Sequence, residues 1–402
     1  MNIEISRLRN DTRAAARVVH LNNCGASLPP SIVVDAVVSH LKAEEDLGPY
    51  EAASVAGERT TALYRAAATS IGCKESEIAF CDSASRAWNV LVYSLRLKAG
   101  DRVLVSPLEF GSGLIAVQHA AERAGAKVEV LPADAEGSVI LQDLKKVLSG
   151  RPPALVAITH AAAHSGSVNP VREIGEMVKT VGSFYLIDAC QSLGQMPISV
   201  DSFRCDALTA TGRKWLRGPR GTGFLYVRNG ISELIDPVTS DLVTTDYLIE
   251  PDAETCTRLK IRPDARRFEL WERSIAAAIG LGVALEYLLE LTSINHDIYD
   301  RILELAQYAA DQLRRVDGVS VWAPSRAQSG VVGFAVRGRA PADVRAACSR
   351  DGINISTMSA WDAPLDFSRR KTAMACRIAP HYFNAHEEID HFLRVIRNLA
   401  PG

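Results

Sequence analysis

The sequence predicts an α/β protein in which a large domain built on a mostly parallel sheet is followed by a smaller α+β domain. Three observations carry this. Between about residues 60 and 230, short apolar runs alternate with helical stretches at a regular beat. Several of those runs are apolar at nearly every position, as strands buried on both faces must be. After residue 273 the beat changes to a long apolar helix followed by separate helices and strands. At roughly 150 residues per domain, 402 residues suit two or three such units.

Taken in order, the large-domain strands are expected at 78–80, 102–105, 128–131, 154–158, 184–187, 207–210 and 224–227. Ala99-Gly100-Asp101, Ala124-Gly125-Ala126 and Gly218-Pro219-Arg220-Gly221 fall between elements, where Gly and Pro punctuate. Beyond residue 273 the pattern predicts helices at 274–291 and 296–316 and strands at 319–322 and 331–336. A helix at 342–350, a strand at 375–378 and a closing helix at 385–399 complete it. The division expected is an N-terminal segment, 1–30, packing near the active site, a large domain, 31–273, and a small domain, 274–402. No Pro/Ser-rich linker separates the last two, so they share an interface, a favoured place for a ligand.

Composition narrows the function. The 45 Lys plus Arg against 47 Asp plus Glu leave a net charge of −2, which argues against nucleic acid or an anionic membrane as the main ligand. The apolar run at 275–285 stops at Glu286, about half a membrane span, and reads as a buried helix. The first twenty residues show no apolar stretch after their charges, so no signal peptide is visible and a cytoplasmic location is expected. Eight scattered cysteines without a CxxC pair read as reduced, mostly buried packing residues. His386 and His391 are five apart, which does not stack them on one helical face, so they read as solvated rather than zinc-binding.

The chemistry concentrates in YLIDACQSLGQ (185–195) and TGRKWLRGPRGTGFLYV (211–227). Asp188 ends an apolar strand and Lys214 follows the next strand, 26 positions on. Both therefore emerge on the carboxyl rim, where open α/β sheets bind ligands. Taken alone, the two residues suit a ligand site and an ordinary salt bridge or solvated lysine equally well.

The surrounding motifs decide between these. A strand-end Asp, a Lys after the next strand and a GPxGxG turn into a hairpin resemble the fold-type I pyridoxal-phosphate enzymes, specifically the class V aminotransferase and cysteine-desulfurase group. LNNCGASLPP (21–30) resembles that group's opening segment, THAAAHSGSVNPV (159–171) its central strand and loop, and RIAPHYFNAHEEID (377–390) its closing segment, so the resemblance spans nearly the whole chain.

The resemblance implies pyridoxal 5'-phosphate as cofactor. Lys214 then forms the Schiff base, Asp188 pairs with the protonated pyridine nitrogen, and Gln191 donates to the ring oxygen. Phe110 of PLEFGSG (107–113) stacks on the ring, unless it is an ordinary core residue. Ser83, Ala84 and Ser85, between a strand and a helix, hold the phosphate with Thr211 and Arg213. Asp82 and Ser83 also suit an N-cap, which is compatible with that role. Arg377 binds the substrate α-carboxylate through its guanidinium. The opening segment, with Asn23 and Gly25, approaches the same carboxylate. Tyr50 and the Arg266/Arg267 pair reach the site from a second subunit of a homodimer or make ordinary surface contacts.

Two departures matter. Desulfurases place a nucleophilic cysteine in the stretch matching GINISTMSAWDAP (352–364), where this chain carries Trp361. Cys348 and Cys376, in helix and strand patterns, read as packing residues. The expectation is therefore an enzyme other than a persulfide-forming desulfurase. Ala163 stands where desulfurases carry Asn, leaving room for a bulky substrate. The TGRKWLRGPRGTG and RIAPHYFN segments resemble hercynylcysteine sulfoxide lyases of ergothioneine pathways and lincosamide enzymes that process S-cysteinyl conjugates. The expected reaction is β-elimination, with Lys214 as general base and a thiol or sulfenate, pyruvate and ammonia as products. Decarboxylation with oxidative deamination, transamination and epimerisation use the same cofactor residues. A non-catalytic regulator is disfavoured, because no added helix-turn-helix or basic stripe is present.

Overall fold

The structure is a computed structural model describing residues 5–231, 234–248, 258–294 and 297–401. Its centre is a seven-stranded sheet in the order Ile78–Cys81, Gly223–Val227, Ala207–Thr211, Phe184–Asp188, Leu155–Thr159, Arg102–Val105, Lys127–Val130. Only Gly223–Val227 runs antiparallel to its neighbours. All the other strands point the same way, and the register pairs Thr159 with Asp188 and Asp188 with Thr209. One rim thus carries the strand ends that the sequence placed there.

The inner strands are buried throughout, because helices cover both faces. At Lys127–Val130 the expectation of full burial fails: this strand is the sheet edge, and Val130 is exposed. An apolar run reports β propensity, and position within the sheet decides burial.

The small domain carries a four-stranded antiparallel sheet in the order Val319–Val321, Val332–Val336, Met374–Ile378, Ser356–Ser359. Helices Asp297–Arg314, Pro341–Arg350 and His386–Leu399 close its core around Leu305, Phe334, Val344, Ile378 and Phe392. Ser356–Ser359 escaped the sequence reading because STMS offers one large apolar side chain, Met358, and hence no alternation.

Helix Ile275–Ile294 packs against Gly57–Ile71 and Ser31–Leu47, with Ala278, Ile279, Leu281 and Leu285 buried. It is, among the described residues, the one helix long and apolar enough to cross a membrane. The N-terminal segment links the two domains, since the Ser27 N–H donates to Arg213 O at 2.8 Å and the preceding residues pair with the small domain. Val19–His20 pairs in parallel with Ile353–Asn354, and Asn22 bridges Ala379. The seven described cysteines are unpaired, and Cys256 lies outside the described residues.

Candidate active site

A cavity opens at the carboxyl rim of the large sheet. Its wall includes Ser83, Ala84, Ser85, Phe110, Asp188, Gln191, Thr211, Arg213 and Lys214, all nine cofactor residues expected from sequence. Each is placed by the end of an element. Asp188 closes the strand Phe184–Asp188, and its Oδ1 accepts the Cys190 N–H at 2.8 Å. Lys214 follows Ala207–Thr211 and is half-buried, its Nζ 5.9 Å from the centre of the Phe110 ring. Among the described residues no Lys or Arg lies within ion-pair distance of Asp188, so the salt-bridge alternative is not what forms. Burial, more than the neighbouring Arg213 and Arg377, pulls Lys214 below its ordinary value, against the opposing pull of Cys190 and Asp188. A lowered amine has a larger neutral, nucleophilic fraction.

Ser83 caps helix Ala84–Ser94 by accepting the Arg86 N–H at 3.1 Å. The Ala84 and Ser85 N–H groups belong to the first turn, where no intrahelical acceptor exists, and both residues line the cavity. A Cβ at Gly223 would stand 2.9 Å from the Ala84 nitrogen, so glycine there lets the antiparallel strand lie directly behind this helix start. Arg213 adds positive charge while its Nη1 donates to Thr211 Oγ1 at 3.1 Å.

Phe110 precedes helix Gly111–Ala124, and the Gly111 N–H donates to Asp362 O at 2.7 Å. Beneath it the buried Glu109 accepts from Ser106 Oγ at 2.8 Å, Thr159 N–H at 2.7 Å and Thr159 Oγ1 at 2.9 Å. Burial nevertheless lifts Glu109 to about 7, against the opposing pull of these bonds. Glu109 was passed over in the sequence because the aromatic next to it drew the reading; its signal was a carboxylate in an apolar strand-end loop.

The expected substrate residues are placed differently. Arg377 Nε donates to Ser356 Oγ at 2.8 Å and Nη1 to the carbonyl of Ala163, at 2.5 Å, and Ala163 itself lines the cavity. Asn23 is fully buried and braces the fold: its amide donates to His20 O at 3.1 Å and Ala379 O at 2.7 Å and accepts from Ser27 Oγ at 2.7 Å. These bonds occupy the side chain, so Asn23 is a brace rather than a carboxylate ligand. Gly25 sits against Asn22, whose buried Oδ1 has no partner. Tyr50, 74 % exposed on helix Pro49–Val55, is away from the cavity within one chain. The Arg266 guanidinium lies 3.8 Å from the centre of the Tyr64 ring.

The donor set fits pyridoxal phosphate. The Ala84 and Ser85 N–H groups of a helix start and Arg213 meet a dianion, an aromatic face stands over the middle, and a carboxylate without an ion pair and an amine stand on the rim. Thr209 Oγ1 is a further wall atom, buried without a partner. Cavity and sheet together define a fold-type I pyridoxal-phosphate enzyme.

The chain belongs to the aminotransferase class-V family, whose model matches residues 19–392. It is 27% identical over 402 residues to a probable cysteine desulfurase of Pyrococcus abyssi, covering 98% of this chain and 97% of the relative. To a probable cysteine desulfurase of Halalkalibacterium halodurans it is 29% identical over 381 residues, covering 93% and 91%. The apo structure of the cysteine desulfurase from Thermococcus onnurineus NA1 matches with TM-score 0.89 and 27% identity over 100% of this chain and 98% of that one. The cystine C–S lyase C-DES in complex with cysteine persulfide shares the fold, at TM-score 0.85 and 21% identity over 97% and 100%.

These relatives overturn the expectation that desulfurases are excluded. That expectation rested on one loop position, Trp361, which is 79 % exposed beyond strand Ser356–Ser359. Similarity to desulfurases extends over more than nine-tenths of the chain.

Proposed function

We propose that this protein cleaves the carbon–sulfur bond of a cysteine carrying a substituent on sulfur, with pyridoxal phosphate held through Lys214. The observation that carries the reading is a half-buried, lowered Lys214 sharing one cavity with Asp188, which has no ion pair among the described residues, next to small wall residues Ala161 and Ala163. Those alanines leave space beside Arg377, and the TGRKWLRGPRGTG and RIAPHYFN segments support an S-conjugated cysteine or its sulfoxide as substrate.

When bound, the cofactor draws electrons from the substrate Cα. The chain's own residues do the rest. Asp188 holds negative charge against the ring nitrogen, in a site where weak hydration strengthens the attraction. Arg377 meets the substrate carboxylate and so orients the Cα–H bond. Lys214 Nζ accepts the Cα proton, and the C–S bonding pair departs with the sulfur as thiolate or sulfenate. The aminoacrylate left behind takes up water and gives pyruvate and ammonia. Val34, Val38 and Leu41, spaced i, i+4, i+7, make an exposed apolar stripe on helix Ser31–Leu47 that, with exposed Tyr50 and Val55 on Pro49–Val55, supports a homodimer.

A second reading, sulfur removal from free L-cysteine with alanine as product, is favoured by the relatives' names. The test incubates holoenzyme with L-cysteine, S-alkylcysteines and their sulfoxides and identifies products by mass spectrometry. Pyruvate with free thiol or sulfenate supports the first reading, and alanine with sulfane sulfur the second. Carbon dioxide release, or an intact C–S bond with every substrate, overturns both.

A further inference from the structure

We propose that Trp215 is a positioning residue: its indole fixes the Gln191 amide with the NH2 group toward the cavity, and the small domain holds Trp215 in place through His381. The inference rests on the reading that Gln191 faces the cofactor ring.

The indole Nε1 donates to Gln191 Oε1 at 2.8 Å, and both side chains are buried. An indole N–H can only donate, so the atom it meets is the amide oxygen and the NH2 group is turned away from it. One NH2 hydrogen reaches Cys24 O at 3.0 Å. An amide NH2 carries two, and the second is left for the cavity that Gln191 lines. Removing the indole strands a buried oxygen, which favours rotation of the amide.

Trp215 is itself held from several sides. Gly330 has no Cβ, which makes space for the indole, since a Cβ there would overlap the ring. Gly194, at φ 98°, brings the turn after Gln191 against the Trp215 backbone, where a Cβ would stand 2.6 Å from its carbonyl carbon. From the small domain, His381 Nδ1 accepts the Tyr382 N–H at 2.9 Å, so its Nε2 carries the proton and donates to Trp215 O at 3.2 Å. The two rings lie 5.2 Å apart. Two residues on, Arg217 adopts φ 60° and donates to Leu28 O at 2.9 Å, Tyr382 Oη at 2.9 Å and Thr12 Oγ1 at 2.5 Å. The stretch after Lys214 is thus gripped by both chain ends.

A hydrogen bond donated to the ring oxygen stabilises its anion. Losing that bond raises the pH at which the visible band of the holoenzyme titrates. Gln191→Ala and Trp215→Phe should both move that midpoint up, by roughly half a pH unit or more. The double variant should move it no further than Gln191→Ala does. A Trp215→Phe midpoint equal to wild type beside a shifted Gln191→Ala would overturn the positioning role. An unshifted Gln191→Ala would overturn it together with Gln191's place at the ring, while leaving Lys214 and cofactor binding intact. Should Trp215→Phe not fold, 15N-tryptophan-labelled wild type and Gln191→Ala holoenzyme give an independent readout. One indole N–H resonance should move upfield in the variant, and no moved indole resonance would sink the proposal.

Discussion

Two carboxylates, the half-buried Asp188 on the cavity rim and the buried Asp366 under the small-domain loop, sit in opposite electrostatic settings. Asp366 is fully enclosed and saturated. It accepts His164 Nε2 at 2.6 Å, Arg369 Nε at 2.9 Å and Arg370 Nε at 2.6 Å. Burial alone would raise it, but His164 and Arg370 outweigh that and hold it well below the usual carboxylate range. Burial lowers His164 against the opposing pull of Asp366, and its Nδ1 faces no partner. Arg369 and Arg370 also donate to the carbonyls of Ala135, at 2.9 Å, and Glu136, at 3.2 Å, so the cluster straps helix Pro364–Arg369 to the large domain. Asp188 has one backbone donor and no cation within ion-pair distance among the described residues. A carboxylate closed by its own chain is structural, whereas one left open on a cavity wall is arranged for something the chain does not contain.

The sharpest way to break this comparison starts at the open site. Lys214→Ala should lower turnover by about 10²–10⁴-fold with little change in the melting temperature, measured by steady-state kinetics and calorimetry. A variant that unfolds instead would make Lys214 structural. Asp366→Ala should do the reverse. Stranding His164 and two guanidinium groups should cost about 3–5 kcal/mol in urea unfolding. A cost below about 1 kcal/mol would mean that the strap is solvent-screened in the way surface pairs are.

Asp188→Asn refines the contrast. Turnover should fall on the order of 10²-fold while the urea midpoint stays near wild type, since no ion pair is broken. Arg377→Ala should act mainly on KM, and kinetics unchanged with amino-acid substrates would remove its carboxylate role.

The smallest effect is a pH slope. Lys214 is lowered in the folded protein, so between that value and 10.5 the unfolded chain binds its proton more tightly and wild-type stability rises with pH. Cofactor-free Lys214→Met should therefore be the more stable protein at pH 7. Its advantage should shrink toward pH 10 in urea titrations, and a constant gap would mean that Lys214 is not desolvated.

Legibility followed the range of the forces involved. Asp188 and Lys214 were readable because alternation of apolar runs fixes which strand ends share a rim, and Gln191, Ser83 and Ser85 follow within a turn of such an end. Asn23 was misread, since its partners His20, Ala379 and Ser27 are set by the bridge between chain start and small domain. The desulfurase exclusion failed because a single loop residue cannot outweigh similarity along the whole chain.

By itself the sequence determined the order of strands and helices along the chain and which strand ends share a rim, because local periodicity and turn chemistry act over a few residues; the cofactor roles on that rim came from the resemblance of its motifs. Tertiary structure alone decided which carboxylate is closed and which is open, which edge strand meets solvent, and how Trp215 faces Gln191. Those depend on groups such as His164 and Asp366, 202 positions apart, or Trp215 and His381, 166 apart, whose meeting no local pattern encodes.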